Sequence, residues 1–195
     1  MIKRGRFQNM FDLADEVGSW DERLVAPPFA DPQVAMSHGA DPQPFFLVCE
    51  KDTLVVQYTG ESDVDLRFTG TRQTHMEMGD MLYVPAGTPC RIVPREDSIY
   101  ARIKAINPGL EGVSWFCPSC DVEVWRYEFD ANTEFVQQGY LDGCQQFNAD
   151  AARRTCRACQ AVHAEVDISG FRWAQLIEEL RVPTPAEPTE LVGHH

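Results

Sequence analysis

Short stretches of alternating apolar and polar residues predict that the middle of the chain is built from β-strands. These stretches are rich in β-branched and aromatic residues and are separated by Gly, Pro or Asp turns, as strands usually are. They cover residues 45–48, 53–58, 64–68, 81–84 and 99–106. In the last stretch every second residue from Ile99 to Ala105 is apolar, which places one face on a core and the other toward solvent or a cavity. Strands this short and closely spaced predict an all-β sandwich or barrel.

Helical periodicity occurs near both ends of the sequence. Residues 8–25 carry apolar side chains at helical spacing, and Asn9 is a residue type that caps helices. Residues 170–181 form the pattern of an amphipathic helix. The prolines from Pro27 to Pro44 exclude a helix between these regions, because proline lacks the amide donor and pushes its predecessor toward extended geometry. The Pro-rich end from Val182 is predicted to be a loose tail.

Composition and charge narrow the class of protein. The chain has 195 residues and 44% hydrophobic content, which favours one main domain. Lys and Arg number 17 against 30 for Asp and Glu, a formal net charge of -13, and this argues against nucleic acid as a partner. No run approaches the roughly 20 apolar residues of a membrane helix, and no apolar stretch follows the basic N-terminus. The sequence therefore predicts a soluble, cytoplasmic protein without a membrane partner.

The cysteines give the strongest chemical signal. There are seven, an odd number that favours metal ligation over disulfides when no secretory signal is present. Four of them form two CxxC knuckles, and each knuckle can present two thiolates to one tetrahedral metal. The knuckle residues are Cys117, Cys120, Cys156 and Cys159. They predict a closed structural site for iron or zinc; two unrelated pairs, or a redox-active CxxC without the usual βαβ surroundings, are the alternatives.

A second motif lies in the predicted barrel. Residues 79–90 follow the pattern Gx5PxGxxH of cupin barrels at every fixed position except the last, where Cys90 replaces histidine. The residue after Pro89 is expected to begin a strand and point into the barrel. The alternative is a β-hairpin turn with a buried free cysteine.

Together these features resemble the bacterial 3-hydroxyanthranilate 3,4-dioxygenases. The resemblance covers roughly residues 7–165 and rests on the cupin motif, on the segment from Trp115 to Cys120 and on the last knuckle with His163. It implies a cupin (double-stranded β-helix) barrel with a small C-terminal rubredoxin-like metal subdomain, short flanking helices and a homodimer. The domain boundaries that follow are residues 1–112 for the barrel and N-terminal helix, 113–168 for the metal subdomain, and 169–195 for the last helix and tail.

The resemblance also implies a ring-opening reaction with O2 at a ferrous ion held by two histidines and a glutamate. His38 matches the first histidine, but Pro44 occupies the glutamate position and Cys90 the second histidine position. The catalytic candidates are therefore His38 and Cys90. Displaced ligands could instead come from three other residues, namely Cys49, Glu50 and His75.

Basic residues are the candidates for binding the substrate. Arg91 and Arg95 follow the second histidine position, where the family has a carboxylate-binding arginine. Arg102 or Lys104 occupies the position of a family carboxylate, which reverses the charge there. An arginine that faces into a barrel is costly without a carboxylate or anion as partner.

Two hypotheses remain for the function. The first is a divergent dioxygenase-like or non-oxidative enzyme that acts on a small aromatic or carboxylated metabolite, with a metal on His38 and Cys90 in the barrel. The second is a barrel without its own metal that binds a small acid or a protein partner, while the four-cysteine metal has a structural role. The lost glutamate favours the second, because one histidine and one thiolate rarely hold Fe(II) against water.

Overall fold

Two antiparallel sheets face each other in the computed structural model, which describes residues 9–25 and 30–181. Within these ranges the strands are β1 (Arg23–Leu24), β2 (Gln33–Gly39), β3 (Phe46–Cys49), β4 (Thr53–Gln57), β5 (Ser62–Leu66), β6 (Gln73–Met76), β7 (Met81–Val84), β8 (Cys90–Pro94), β9 (Ser98–Lys104), β10 (Leu110–Phe116) and β11 (Glu123–Asp130). The helices are α1 (Met10–Ala14), α2 (Val136–Ala149), α3 (Ala151–Arg154) and α4 (Trp173–Arg181). None of these helices is long and apolar enough to cross a membrane.

The strand order shows how the barrel closes. The first sheet runs β1-β2-β9-β4-β7 and the second β11-β10-β3-β8-β5-β6. Alternate residues of β4, β5 and β8 are buried, because each strand turns one face to the space between the sheets. This is the cupin double-stranded β-helix with a few short helices, so the predicted fold class is confirmed.

The N-terminal segment covers the outer face of the first sheet. Ala14 and Val17 pack against Met36 of β2 and Ile99 of β9, forming a small core separate from the one inside the barrel. Helix α1 has five residues and is capped by Asn9, so the short N-terminal helix is confirmed, but the helical pattern of residues 8–25 does not continue as helix beyond residue 14. The chain leaves helical geometry after α1, and Trp20 and Glu22 have positive φ angles of 58° and 41°, which a helix cannot contain.

Helix α2 joins the barrel to the C-terminal region. A Cβ on Gly139 would lie 2.5 Å from the ring of Phe129 in β11, so glycine is needed for helix and sheet to approach this closely. Further along α2, Phe147 stacks on Trp115 with ring centroids 4.1 Å apart. The sequence pattern did not predict α2, because its buried face contains glycines, glutamine and cysteine as well as aromatic residues.

Several strands also escaped prediction. The proline-rich segment contains β2, which pairs with β9 over seven residues; the sequence analysis excluded a helix there and did not predict this strand. Pro32 and Pro42 lie outside β2 and leave its pairing amides intact. Strand β10 was also missed, and it spans the predicted boundary between residues 112 and 113. The predicted tail from Val182 lies outside the described residues.

Candidate functional site

The inside of the barrel holds four charged side chains in mutual contact. Arg102 Nε lies 3.3 Å from Glu22 Oε1, and Lys104 Nζ lies 2.9 Å from Glu22 Oε2. Lys104 Nζ also lies 3.0 Å from Glu111 Oε1. These four residues are called the barrel cluster below, and all of them are buried. Two cations and two carboxylates give the cluster no formal net charge when all are ionised.

Local backbone geometry explains why these residues meet. Arg102 and Lys104 are two positions apart on β9 and therefore point to the same face of the sheet. Glu22 enters from the loop before β1, where its backbone is left-handed with φ 41°. Its N–H donates to Ser37 Oγ at 3.1 Å, which stabilises a conformation that non-glycine residues rarely adopt.

Helix α2 completes the cluster through a hydrogen bond. Tyr140 donates its hydroxyl to Glu22 Oε2 at 2.9 Å. Burial favours the neutral form of Glu22, but Lys104 and Arg102 outweigh it and lower the pKa of that carboxyl. Burial raises the pKa of Glu111, and Lys104 opposes this only in part. The two positive charges are thus shared unequally, and Glu22 is the carboxylate that they stabilise most.

The arginine that was predicted to need a partner has one in the chain itself. Arg102 and Lys104 do point into the barrel, but their charged groups form ion pairs with Glu22 and Glu111. The sequence analysis proposed these two basic residues as ligands for a substrate anion and did not identify either acid. Glu22 lies in the segment with helical periodicity, and Glu111 lies in a segment for which no strand was predicted. The only sequence signal for these two ion-pair partners was therefore the energetic cost of burying an arginine without a carboxylate.

His38 and Cys90 do not come together. His38 lies on β2 beside Met36 and Ile99, on the outer face of the first sheet. Its ring nitrogens lie 2.8 Å from the carbonyl oxygen of Ala14 and 3.1 Å from Asp97 Oδ2. Cys90 begins β8 and its side chain points into the core between the sheets, both as predicted. A single metal ion bridging these two residues is therefore wrong, because the sheet separates them.

The rest of the implied iron triad is also missing. Pro44 has no ligating side chain, and its carbonyl oxygen accepts a hydrogen bond from Trp115 Nε1 at 2.9 Å. Burial raises the pKa of the Cys90 thiol, although Arg102 opposes the shift. A neutral thiol beside an arginine disfavours a dication. The residues inside this barrel do not fit the ferrous ion that the resemblance implies.

The other two predicted anion-binding residues lie outside the barrel. Arg95 follows β8 and pairs with Asp63 at 2.9 Å, so its charge is matched at the surface. Arg91 neighbours Cys90 and points to the opposite face of the sheet, where its Nε donates to the carbonyl oxygen of Gln43 at 2.9 Å. Neither faces the interior.

The two CxxC knuckles meet as predicted. The Sγ atoms of Cys117, Cys120, Cys156 and Cys159 all lie within 4.8 Å of one another. Cys117 Sγ lies 3.5 Å from Cys159 Sγ, and Cys120 Sγ lies 3.5 Å from Cys156 Sγ. These separations are close to those of sulfur ligands about 2.3 Å from one tetrahedral ion. In the described part of the chain, this is the one group of three or more His, Cys, Asp or Glu side chains placed to hold a metal ion.

Backbone amides favour the thiolate at one cysteine of each knuckle, whereas neighbouring thiols raise the pKa of Cys120 and Cys159. Burial alone would raise the pKa of Cys117, but the N–H groups of Ser119 and Cys120 lower it to about 6. The N–H of Cys159 lowers the pKa of Cys156 in the same way. Amides that point at sulfur favour the thiolate, which is the form that binds metal. The donor set fits zinc or iron, and four protein ligands fill a tetrahedral site, so such a metal would hold the knuckles together.

Curated relatives agree with the sequence resemblance. The chain is 22% identical over 135 residues to the 3-hydroxyanthranilate 3,4-dioxygenase of Coccidioides immitis, covering 68% of each chain. It is 31% identical over 91 residues to 3-hydroxyanthranilate 3,4-dioxygenase 1 of Aspergillus oryzae, covering 43% of this chain and 44% of the relative. It is 30% identical over 112 residues to the 3-hydroxyanthranilate 3,4-dioxygenase of Aspergillus terreus, covering 54% of this chain and 53% of the relative. The chain is a divergent relative of the 3-hydroxyanthranilate 3,4-dioxygenases. It spans about half the length of the two Aspergillus relatives.

More distant comparisons extend beyond the 3-hydroxyanthranilate 3,4-dioxygenases. No family model matches the chain. A solved hydroquinone 1,2-dioxygenase from Sphingomonas sp. TTNP3, in complex with 4-nitrophenol, overlaps with a TM-score of 0.47 and 14% identity over 53% of this chain and 33% of that chain. A solved protein of Klebsiella pneumoniae with a double-stranded β-helix domain overlaps with a TM-score of 0.45 and 16% identity. The overlap covers 56% of this chain and 97% of that chain. The cupin assignment rests on the strand order of the two sheets rather than on these overlaps.

Proposed function

We propose that this protein is a cupin of dioxygenase descent that binds a small acid without cleaving an aromatic ring, and that its four-cysteine site holds a structural zinc or iron ion. The observation that carries the proposal is the barrel cluster. Arg102 and Lys104 lie inside the barrel, and their charges are matched by Glu22 and Glu111. The two carboxylates inside the barrel are already paired with these cations and are not free to ligate a ferrous ion, and the ligand candidates His38 and Cys90 are separated by the first sheet.

The cavity at the barrel mouth favours the same conclusion. It has a volume of about 500 Å³ and reaches Lys104, Glu22 and Glu111 from the side of α2 and α4. Its walls carry more acids than bases, and the arginines among them are already paired: Arg23 with Glu16, and Arg172 with Asp21. An acidic aromatic substrate would therefore be repelled at the mouth of the barrel, which argues against ring cleavage inside it, so the small acid of this proposal would bind outside the barrel.

A turnover assay tests the loss of ring cleavage. Purified protein is supplied with 3-hydroxyanthranilate, O2 and Fe(II), and both O2 consumption and the absorbance of the ring-opened product are followed. We expect no turnover above the protein-free reaction. Ring cleavage that depends on Fe(II) and disappears in Cys90→Ala would overturn the proposal.

Metal content tests the structural part. We expect one metal equivalent per chain, retained in His38→Ala and Cys90→Ala and lost in Cys117→Ser. A second equivalent that disappears when Cys90 is changed would place a metal in the barrel and contradict the proposal.

A further inference from the structure

A pocket lies on the outer face of the second sheet, beside the first cysteine knuckle. Its volume is about 360 Å³, at the small end of the range for ligand sites. We call it the cysteine pocket and define it by the lining residues that matter here: Phe46, Arg67, Arg91, Phe116, Cys120 and Asp121. The pocket is separate from the barrel interior, because Arg91 and Cys90 are consecutive residues of β8 and face opposite sides of the sheet.

Arg91 is the unusual member of this pocket. It is half-buried, and Nε donates to a backbone carbonyl oxygen, yet Arg91 makes no ion pair within the described part of the chain. Arg95 and Arg102 each contact a carboxylate. Asp65 lies opposite Arg91 on β5, and its Oδ1 already accepts a hydrogen bond from Gln73. The guanidinium of Arg91 therefore keeps hydrogen-bonding capacity in a partly desolvated place, where an anion is favourable.

The second arginine adds positive charge and an aromatic contact. The guanidinium carbon of Arg67 lies 4.4 Å from the ring centroid of Phe46 and 5.5 Å from that of Phe116. Its Nε lies 2.8 Å from Asp121 Oδ1, but Arg72 also pairs with Asp121, so one carboxylate serves two arginines. Burial and the nearby charge of Arg67 lower the pKa of Arg91, with Asp65 opposing the shift. Two guanidinium groups therefore line the pocket against one carboxylate, that of Asp121.

The walls favour a flat ligand. Arg91 also lies near the ring of Phe46, with its guanidinium carbon 6.0 Å from the ring centroid, so two cations adjoin one aromatic ring. Phe46 and Phe116 both line the pocket, with their ring centroids 5.0 Å apart, and the exposed ring of Phe68 packs on Phe116 beside it. Aromatic walls next to Arg91, a guanidinium without an ion pair in the described residues, suit a planar group that carries an anionic substituent.

We propose that the cysteine pocket binds a small planar organic anion, with its oxyanion at Arg91 and its flat face against Phe46 and Phe116. The inference deepens the proposed binding function, and rests on it for the expectation of a small acid, by naming the site and the shape of the ligand. The barrel plays no part in this contact.

Benzoate is the probe, and its binding is measured by titration calorimetry and by quenching of tryptophan fluorescence, because Trp115 lines the same pocket. We expect saturable binding of benzoate, and binding at least 10-fold weaker for the neutral analogue benzamide. Inorganic phosphate, an anion without a flat group, should compete at least 10-fold less well than benzoate. Equal competition by phosphate or equal binding of benzamide would overturn the proposed ligand class.

Variants locate the site. Arg91→Met should weaken benzoate binding roughly 10- to 100-fold, the usual effect of losing a charge-assisted hydrogen bond, and Arg91→Lys should give an intermediate affinity. Arg95→Met is the matched control and should bind as the parent protein does. Benzoate binding that is the same in all three variants would overturn the assignment to this pocket while leaving the proposed binding function intact.

The metal content of each variant separates this role from a structural one. Four thiolates around a divalent ion carry excess negative charge, and an arginine nearby can simply balance it. Metal that is lost from Arg91→Met and retained in Arg91→Lys would show that role and overturn the proposal. Ring cleavage in the turnover assay together with Arg91-dependent benzoate binding would contradict the proposed function and leave the pocket standing.

Discussion

The barrel interior and the four-cysteine site both gather ionisable side chains, but they satisfy them differently. In the barrel cluster every cation faces a carboxylate of the same chain, and the shortest contact is 2.9 Å. In the knuckles four thiols lie together, with backbone amides pointing at Cys117 and Cys156 and no cation among the ligating atoms. The formal charges of the first arrangement balance without an ion. The second is placed to hold one, and a divalent metal would offset the repulsion between its thiolates.

Changing a knuckle cysteine should have the largest effect. Cys156→Ser removes one of four ligands, and structural zinc sites contribute roughly 10–16 kcal/mol of apparent binding free energy, so we expect the metal to be lost and the knuckle region to unfold. Metal content per chain and protease sensitivity measure this. Cys144→Ala is the control, because Cys144 is a buried thiol of the main core; it should lose some stability and keep its metal. Full metal occupancy in Cys156→Ser would contradict a four-cysteine site.

Removing the shared carboxylate of the barrel cluster should rank second. Glu22→Gln leaves Arg102 and Lys104 buried with half of their negative partners, and breaking a buried pair typically costs about 3–5 kcal/mol. The free energy of unfolding from urea titration measures it. The control is Glu16→Gln, because the Glu16–Arg23 pair is exposed and should be worth at most about 1 kcal/mol. Equal effects of the two changes would show that the barrel cluster does not stabilise the fold.

The same carboxylate predicts how stability depends on pH. Burial opposes ionisation of Glu22, but Lys104 and Arg102 lower its folded-state pKa below the ordinary value of 4.5. A depressed pKa means that the stabilisation is present above the unfolded-state pKa and is lost as pH falls through the folded-state pKa. The stability of the parent protein relative to Glu22→Gln should therefore shrink below about pH 4.5. A difference that stays constant from pH 7 to pH 3 would contradict this assignment.

Helix α2 connects the barrel to the four-cysteine site. Overpacking its contact with β11 tests whether a change in barrel stability alters the metal content of that site. Gly139→Ala places a methyl group 2.5 Å from the Phe129 ring, and such overpacking costs about 1–3 kcal/mol. The free energy of unfolding should fall while metal content stays the same. Gly70→Ala is the control, because nothing lies within 4 Å of the added carbon. No loss in Gly139→Ala would mean that α2 can move away from β11 without cost.

The smallest effect is expected at His38. His38→Ala removes two hydrogen bonds at the outer face of the first sheet, so stability should fall by about 1 kcal/mol and metal content should not change. Thermal unfolding and elemental analysis check both. Loss of a metal equivalent from this variant would show that His38 is a metal ligand.

Local patterns predicted the parts of the fold that depend on nearby residues. Alternation and turn residues located strands such as β4 and β7, and Pro89 correctly marked the start of β8 at Cys90. The hydrophobic pattern did not predict β2, because the prolines on either side of it obscure the alternation of its residues. Pairing with β9 decides the structure of this segment. The pattern failed for α2 because aromatic stacking and close approach at glycines, rather than an apolar stripe, hold that helix in place.

The sequence by itself determined the four-cysteine site, because each CxxC fixes two ligands within one turn and the remaining task is to bring two such turns together. It also predicted that the iron triad implied by the resemblance is incomplete, because proline cannot ligate at position 44. Only the tertiary structure decided which side chains occupy the inside of the barrel. Glu22 and Arg102 are 80 residues apart along the chain, and no local pattern links them. Their contact arises because a left-handed loop and two sheets place both charges in one buried space, where each requires the other.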